Sequence, residues 1–175
     1  MSAEIYRLYE LMEGADMKKL SAMLSEFKCS RDKDAERFLG KVALKHEINN
    51  ISRTYLSMDT GSGIILGYFT LAFKCLNLKD IELAADIAEL MNINEDIAQS
   101  YLIGQLARSD YAERGTGKIM LDEALKMFSE GKRIFGCQTV RLDCKDELID
   151  YYRSQDFRHL HKNRERDLNQ MVKFI

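Results

Sequence analysis

The sequence contains no proline, so its turns depend on Gly, Asn, Asp and Ser, and the boundaries of its elements are weakly marked. No apolar run approaches the ~20 residues that a membrane-spanning helix needs. The N-terminal segment, MSAEIYRLYE, also lacks the basic start and apolar block of a secretory signal. These absences predict a protein with no membrane partner that resides in the cytoplasm.

Cysteine is sparse and scattered along the chain. The four cysteines form no C-x-x-C pair, and none has a histidine at metal-ligand spacing. We therefore expect no zinc or other metal site. We interpret the thiols as small apolar residues of a reducing compartment, namely Cys29, Cys75, Cys137 and Cys144.

Neither sign of charge dominates the sequence. Its 26 basic and 28 acidic residues give a net charge of −2, which argues against a general affinity for nucleic acid or an anionic membrane. The chain has 175 residues, enough for one domain with a sizeable core. We expect a single domain over residues 1–175, in which residues 1–26 form a helical cover. Hydrophobic spacing there fits two short helices, or a strand and a helix.

The most informative stretch is residues 101–131. Residues 101–108 are a short apolar run followed directly by turn residues, which predicts a buried strand. A polar turn carries Gly115 and Gly117. An amphipathic helix then ends near Gly131, and its apolar face consists of Leu121, Ala124, Leu125 and Phe128.

Two glycines at a helix start favour an anion such as phosphate. They let the backbone approach a ligand closely, and the first N–H groups of the helix point outward at its positive end. The turn does not match a Walker A loop, because Ala112 and Ile119 replace its first Gly and its Ser or Thr. Met120 likewise occupies the third glycine of the dinucleotide fingerprint. A turn without a ligand stays an alternative.

Two segments resemble motifs of the GNAT superfamily of N-acetyltransferases. Residues 110–118, DYAERGTGK, resemble the family's acyl-CoA loop, R/Q-x-x-G-x-G/A, and residues 151–157, YYRSQDF, resemble its F-Y-x-x-x-G-F segment. The resemblance covers roughly residues 27–175 and is most specific at the glycine turn. Ala112 replaces the usual Arg or Gln, so Arg114 is the candidate for the missing charge, and Asp156 replaces the usual Gly.

The remaining patterns predict the other elements. We expect a helix over residues 32–46 with Asp32 as N-cap, a hairpin of strands 52–58 and 64–74, and a helix over 80–91. Farther along we expect a strand over 139–144, a short helix over 147–153, and strands over 157–160 and 169–174. The fold is therefore α+β, and the resemblance implies a three-layer α/β/α sandwich around a mixed, mostly antiparallel sheet.

The resemblance also implies roles for individual residues. In this family the strand before the glycine turn pairs with the pantetheine arm of acetyl-CoA, and the matching positions are Leu106, Ala107 and Arg108. The turn holds the pyrophosphate, which assigns cofactor binding to Arg114, Gly115, Thr116, Gly117 and Lys118. Tyr152 matches the tyrosine that often protonates the departing thiolate. The sequence identifies no general base.

The resemblance therefore predicts an acetyl-CoA-dependent N-acetyltransferase that transfers the acetyl group directly to a primary amine of a small molecule or protein. Some bacterial toxins of the family acetylate aminoacyl-tRNA, and the basic segment 158–166 is compatible with that alternative, although it also fits a solvated turn. The departures at Ala112 and Asp156 keep a non-catalytic acyl-CoA-binding module open. Dimers are frequent in the family, so a homodimer is compatible with the resemblance.

Overall fold

The computed structural model describes residues 2–91, 93–163 and 166–175. The chain forms two compact units, Met1–Ala72 with Gly104–Ala124, and Phe73–Ile103 with Leu125–Ile175. The elements in chain order are β1 (Ala3–Arg7), α1 (Leu8–Met12), α2 (Met17–Ser25), α3 (Lys33–Lys41), α4 (Ala43–Ile48), β2 (Arg53–Asp59), β3 (Ile65–Phe73), β4 (Leu76–Asn77), α5 (Ala85–Leu90), β5 (Ile93–Asn94), β6 (Ile97–Ala98), β7 (Tyr101–Arg108), α6 (Thr116–Phe135), β8 (Thr139–Cys144), a 3-10 turn (Asp146–Leu148), α7 (Ile149–Arg153), β9 (Arg158–Asn163) and β10 (Leu168–Phe174).

In the first unit the strand order is β1-β2-β3, followed by the C-terminal part of β7. The β2–β3 pair is antiparallel, which confirms the predicted hairpin. Its turn is closed by Asp59, whose carboxylate accepts hydrogen bonds from the Ser62 backbone N–H at 2.9 Å and the Ser62 hydroxyl at 2.7 Å. At the end of β7, the Ser109 N–H donates to the Leu66 carbonyl at 2.9 Å.

The N-terminal segment, for which the sequence left open two short helices or a strand and a helix, begins with a strand. Residues 3–7 form strand β1, which pairs antiparallel with residues 55–59 of β2. Ile5 and Leu8 have helical spacing, but residues 3–7 form a strand because hydrogen bonds to β2 satisfy the backbone groups of the strand. Two short helices, α1 and α2, follow the strand.

The helices of the first unit bury an apolar face against the sheet. Asp32 caps α3 as predicted, since its carboxylate accepts from the N–H groups of Asp34 and Ala35, each at 3.1 Å. The helix predicted over residues 32–46 is divided at Val42 into α3 and α4. Tyr68 lies in the core with its hydroxyl donating to the Ala35 carbonyl at 2.8 Å. Other members of this core are Leu8, Leu20, Leu24, Phe27, Leu39, Leu56 and Ile65.

In the second unit the strand order is β7-β8-β10-β9. Residues 101–103 of β7 pair in parallel with residues 140–142 of β8, and the β8–β10 and β10–β9 pairs are antiparallel. The sheet is thus mixed and mostly antiparallel, and the α+β class is confirmed. Strands β8 and β10 match their predicted positions closely. The basic segment predicted as a turn is largely strand β9, and its residues Arg164 and Glu165 lie outside the described part.

The helix predicted over residues 80–91 is shorter than expected. Only Ala85–Leu90 is helical, because Asp80 takes a left-handed conformation (φ 61°) and Ala84 is extended. A small antiparallel sheet has the strand order β4-β6-β5. In the sequence, β4 precedes this helix, and β5 and β6 follow it. The segment buries a second core cluster that includes Leu76, Ile87 and Val172.

Tyr101, the first residue of β7, is the aromatic centre of the second unit. Its buried ring stacks on Phe128 of α6 with centroids 4.6 Å apart, and its hydroxyl donates to the Gly136 carbonyl at 2.8 Å. Helix α6 therefore continues to Phe135, beyond the predicted end near Gly131. Within the described residues, no helix combines the length and apolar character needed to cross a membrane.

Glu47 provides a stability test in the first unit. Its buried carboxylate accepts from the Arg53 guanidinium at 2.9 Å and from the buried backbone N–H of Thr54. Glu47→Ala leaves that N–H unsatisfied, so we expect the free energy of unfolding in urea to fall by about 2–3 kcal/mol. The exposed Glu82→Ala is the matched control and should change it by less than about 0.5 kcal/mol. Equal effects of the two substitutions would contradict this account.

Candidate functional site

The loop between β7 and α6 is tied down at its first residue. The Asp110 N–H donates to the Lys28 carbonyl at 2.9 Å, and its carboxylate accepts from the backbone N–H and the hydroxyl of Ser30, both at 2.9 Å. The bond from the Ser30 N–H is the main reason that the pKa of Asp110 lies below its ordinary value. The carboxylate therefore stays ionised and holds the loop at neutral pH.

The next turn of the loop contains Ala112, the residue that departs from the family's acyl-CoA loop pattern. Ala112 is buried, its N–H donates to the Ser109 carbonyl at 3.2 Å, and its own carbonyl accepts a short hydrogen bond from the Arg108 guanidinium. A methyl group thus occupies a buried position at which the family has a long polar side chain. Arg108 instead reaches the loop from the strand, a contact that the sequence did not predict.

The glycine turn presents unpaired backbone donors. Gly115 takes a left-handed conformation (φ 97°), and its carbonyl accepts from the N–H groups of Lys118 at 2.9 Å and Ile119 at 3.1 Å, which starts α6. Among the described residues, no acceptor receives the N–H groups of Arg114, Gly115 or Gly117. These donors lie at the positive end of a 20-residue helix, which is an anion-binding arrangement.

Open space and positive charge complete this arrangement. A Cβ built on Gly117 meets no atom within 4 Å, so a ligand can approach the backbone there. Arg114 is exposed, and Lys118 pairs with Asp122 at 2.7 Å on the exposed face of α6, where an ion pair contributes little and yields readily to another anion. Free N–H donors and two cations suit a diphosphate.

The predicted cofactor residues are brought together by one strand, loop and helix. Leu106 and Arg108 of β7 are half-buried and Ala107 is buried, while Thr116, Gly117 and Lys118 form the first turn of α6. All of them belong to the first unit. Their assignment to a cofactor stays a prediction.

Tyr152 lies in α7 of the second unit. Its ring packs edge-on against Phe157, with centroids 5.7 Å apart, and against Tyr151 at 5.1 Å. Burial is the main cause of a strongly raised pKa of its hydroxyl, and Cys144 and Tyr151 act in the same direction. No hydrogen-bond partner for this hydroxyl is found in the described part of the chain. The hydroxyl therefore stays protonated at physiological pH.

Asp156 keeps the backbone geometry for which the family uses glycine. It takes the left-handed conformation (φ 63°), and its N–H donates to the Arg153 carbonyl while the Phe157 N–H donates to the Tyr152 carbonyl, both at 3.0 Å. This pair of bonds is the Schellman ending of α7, completed by the contact between Phe157 and Tyr152. Asp is among the residues that tolerate this conformation. The substitution therefore leaves the position of Tyr152 intact.

Two of the histidines form hydrogen bonds with neighbouring polar side chains. His46 bonds the Ser52 hydroxyl through Nδ1 at 3.2 Å, and His159 bonds the Asn169 side chain through Nε2 at 2.9 Å. Within the described ranges, no group of three or more His, Cys, Asp or Glu side chains is arranged to hold a metal ion.

Solved structures define the class of the fold. The chain has the fold of the GNAT N-acetyltransferases, because structures of that fold match nearly its whole length. No protein-family model and no curated protein sequence matches it.

Three of the matching structures are of the proteins AtaT and KacT. AtaT complexed with acetyl-methionyl-tRNAfMet is 18% identical, with 99% of this chain and 95% of that one covered and a TM-score of 0.75. A tyrosine-to-phenylalanine mutant of KacT is 16% identical, covers 99% and 95%, and has a TM-score of 0.78. A tyrosine-to-phenylalanine mutant of AtaT bound to acetyl-CoA and the C-terminus of the antitoxin AtaR is 19% identical, with 99% of this chain and 94% of that one covered and a TM-score of 0.71.

Asp156→Gly tests the helix ending. Glycine removes the cost of a left-handed backbone, so we expect the free energy of unfolding to rise by about 0.5–1 kcal/mol, measured by urea denaturation. Asp150→Gly, inside α7, is the matched control and should lower it by about 1 kcal/mol, since glycine disfavours helix interiors. A loss of stability in both variants would show that the Asp156 side chain is needed in the native state.

Proposed function

We propose that this protein is an acetyl-CoA-dependent N-acetyltransferase whose acceptor is the α-amino group of an aminoacyl-tRNA. The observation that carries the proposal is the cradle of free N–H groups at Arg114, Gly115 and Gly117, set between strand and helix in a GNAT fold. The cradle suits the pyrophosphate of a CoA ester. Acetyl-CoA, when bound, would supply an acetyl group activated as a thioester.

The cofactor is held by backbone and charge. The N–H groups of the glycine turn bind the pyrophosphate, and Arg114 and Lys118 add positive charge at its edge. Lys118 exchanges its exposed ion pair with Asp122 for the phosphate. Ala112 contributes no charge, and its carbonyl fixes Arg108 instead. Backbone groups of Leu106, Ala107 and Arg108 pair with the pantetheine arm and polarise the reacting carbonyl.

Tyr152 is the proton donor to the leaving sulfur. Burial keeps its hydroxyl protonated well above neutral pH, and no described residue competes for that proton. A thiolate that receives a proton as it departs is a better leaving group. Structures of KacT and AtaT with a tyrosine changed to phenylalanine are among the matches. A tyrosine of both proteins was thus chosen for substitution, which agrees with the role that we propose for Tyr152.

The tRNA acceptor is favoured by local charge despite the net charge of −2. Cations on α3 and α4 recur every four residues, at Lys33, Arg37, Lys41 and Lys45, and all four are exposed. Residues four apart share one helix face, so α3 carries a basic stripe that suits a phosphate backbone. One of these four cations, Lys33, pairs with Glu36 at 2.8 Å, whereas on β9 two cations are paired, Arg158 with Asp86 and Lys162 with Asp146. The basic segment proposed from sequence is thus partly neutralised, and α3 is the better RNA contact.

AtaT with acetyl-methionyl-tRNAfMet supports this acceptor over the small-molecule or protein amine that the sequence favoured. AtaT is also bound to the C-terminus of the antitoxin AtaR. We extend both kinds of partner, a charged tRNA and an antitoxin peptide, to this chain as part of the proposal.

Gly117→Val tests the cofactor cradle. A side chain at this open position blocks the approach of pyrophosphate without a contact that disturbs the fold. At a hundredfold excess over its dissociation constant, acetyl-CoA should stabilise the unmodified protein by about 2.7 kcal/mol and raise its Tm by several degrees. We expect this shift to vanish in the variant and to persist in Gly61→Val, a turn glycine remote in sequence. A full shift in Gly117→Val would remove the glycine turn from the cofactor site.

Tyr152→Phe tests catalysis with radiolabelled acetyl-CoA and aminoacylated bulk tRNA. We expect label in the aminoacyl group, released by mild alkali as N-acetyl amino acid, and a kcat at least about 100-fold lower in the variant. Its affinity for acetyl-CoA should be unchanged. Tyr151→Phe is the matched control and should keep most of the activity.

The acceptor is tested in the same assay. Arg37→Glu combined with Lys41→Glu should raise the KM for charged tRNA and leave acetyl-CoA binding unchanged. Labelling of free amines but not of charged tRNA would replace the tRNA acceptor with a small molecule. Binding of acetyl-CoA with no transfer to any amine would leave a cofactor-binding module and refute the enzyme.

A further inference from the structure

A cavity of about 540 Å³ lies within the first unit, between the C-terminal end of α2 and the turn that joins β2 to β3. Its volume falls in the ~300–1,000 Å³ range of small-molecule sites. Three segments line it: residues 23 and 25–28, residues 62–65, and Tyr111 of the loop after β7. All three belong to the first unit. Gly61, in the same turn as residues 62–65, is not a lining residue.

The cavity combines a buried apolar lining with an exposed aromatic ring. Phe27 and Ile65 are 4% and 5% exposed, whereas Tyr111 is 60% exposed. An exposed aromatic side chain is ordinary on a protein surface, but one that borders a cavity offers a flat face on which a planar ligand stacks. Glu26 and Lys28, both exposed, add a carboxylate and a cation to the lining. This set of side chains suits a nucleobase that is joined to a phosphate.

The cavity and the cradle of free N–H groups share one loop. Tyr111 precedes Arg114 by three residues, so their Cα atoms are at most about 11 Å apart. The Tyr111 N–H donates to the Ser109 hydroxyl at 3.2 Å. The N–H of the preceding residue, Asp110, donates to the carbonyl of Lys28 at 2.9 Å. Hydrogen bonds thus hold the bordering part of the loop beside the cavity and close to the cradle.

We propose that this cavity binds the adenine ring of acetyl-CoA, which stacks on Tyr111, and that Lys28 contacts the 3′-phosphate of the ribose. A single ribose separates the adenine from the pyrophosphate in CoA, which matches a cavity that is bordered three residues before the cradle. Glu26 accepts a hydrogen bond from the amino group of the base. The inference rests on the proposed function for the position of the pyrophosphate, and it adds a site for the nucleoside.

The charged tRNA also ends in an adenosine, so the same chemistry has a second source. The adenine of the cosubstrate is favoured, because the cavity and the cradle share one loop and both lie in the first unit. The basic stripe on α3 assigned to the tRNA contributes no lining residue.

The first experiment compares two thioesters by calorimetry, which requires neither tRNA nor turnover. S-acetyl-4′-phosphopantetheine has the same reactive arm as acetyl-CoA but lacks the nucleoside. Tyr111→Ala should weaken acetyl-CoA binding at least about tenfold, the effect of losing one stacked base, and leave binding of the truncated thioester unchanged. The Tm without ligand should stay the same, because the ring is exposed.

Two control variants accompany Tyr111→Ala. Tyr111→Phe keeps the ring and should bind acetyl-CoA like the unmodified protein. Tyr9→Ala removes another exposed tyrosine of the first unit, one that does not line the cavity, and should also leave the affinity unchanged.

The second experiment tests the phosphate contact with CoA and 3′-dephospho-CoA. Lys28→Gln should weaken CoA binding severalfold and leave 3′-dephospho-CoA binding unchanged, because the lysine meets only the phosphate that the second ligand lacks. Lys19→Gln, at an exposed position of α2 outside the cavity, is the matched control. Equal weakening of both ligands by Lys28→Gln would overturn this contact.

The outcomes separate this proposal from the proposed function. Equal acetyl-CoA affinity in Tyr111→Ala and the unmodified protein would overturn the adenine site and leave the cradle intact. Equal weakening of both thioesters would make Tyr111 a structural part of the loop and overturn the site as well. A raised KM for charged tRNA with unchanged acetyl-CoA affinity would assign the cavity to the tRNA instead. Failure to label charged tRNA, with the calorimetric pattern retained, would refute the proposed acceptor alone and support the adenine site.

Discussion

The buried ring of Tyr101 is the contact on which the strand, loop and helix of this protein depend. It stacks on Phe128, and its hydroxyl satisfies a carbonyl at the C-terminal end of α6, so the start of β7 and the far end of the helix are joined. At the other end of β7, Asp110 joins the loop to residues 28 and 30. These contacts hold the first residue of β7 in the second unit and the first residue of the following loop in the first unit.

Sequence patterns predicted the elements whose signals are local and long. Strand β7 and strand β8 were predicted with their observed bounds, since each is an extended run of apolar or alternating residues, and Asp32 carries its capping function in its own side chain. Strands β4, β5 and β6 have two residues each, too few for any period to register. The sequence left strand β1 as one of two alternatives, because its pairing with β2 depends on residues some fifty positions away.

The residues of the candidate site fall into the same two groups, those with a local sequence signal and those without one. The glycine turn and Tyr152 could be proposed from the sequence, because the motif that points to each lies within one short segment. The bond from the Arg108 guanidinium to the Ala112 carbonyl was not predicted, because it depends on how the loop folds back on the strand. The departures at Ala112 and Asp156 were apparent in the sequence, but only their backbone surroundings explain how they are tolerated.

The ties at Asp110 and Ala112 have a consequence for the kinetics of ligand capture. A loop already held in its ligand-ready form loses little conformational entropy when the ligand arrives. Association is then limited by the encounter itself rather than by ordering of the protein, and the free-energy gain from each backbone donor is retained in the complex. The conformational entropy of the loop is lost during folding instead, and the hydrogen bonds of the Asp110 carboxylate and the Arg108 guanidinium offset that loss. The arrangement of these backbone donors is therefore a property of the native fold before any ligand is present.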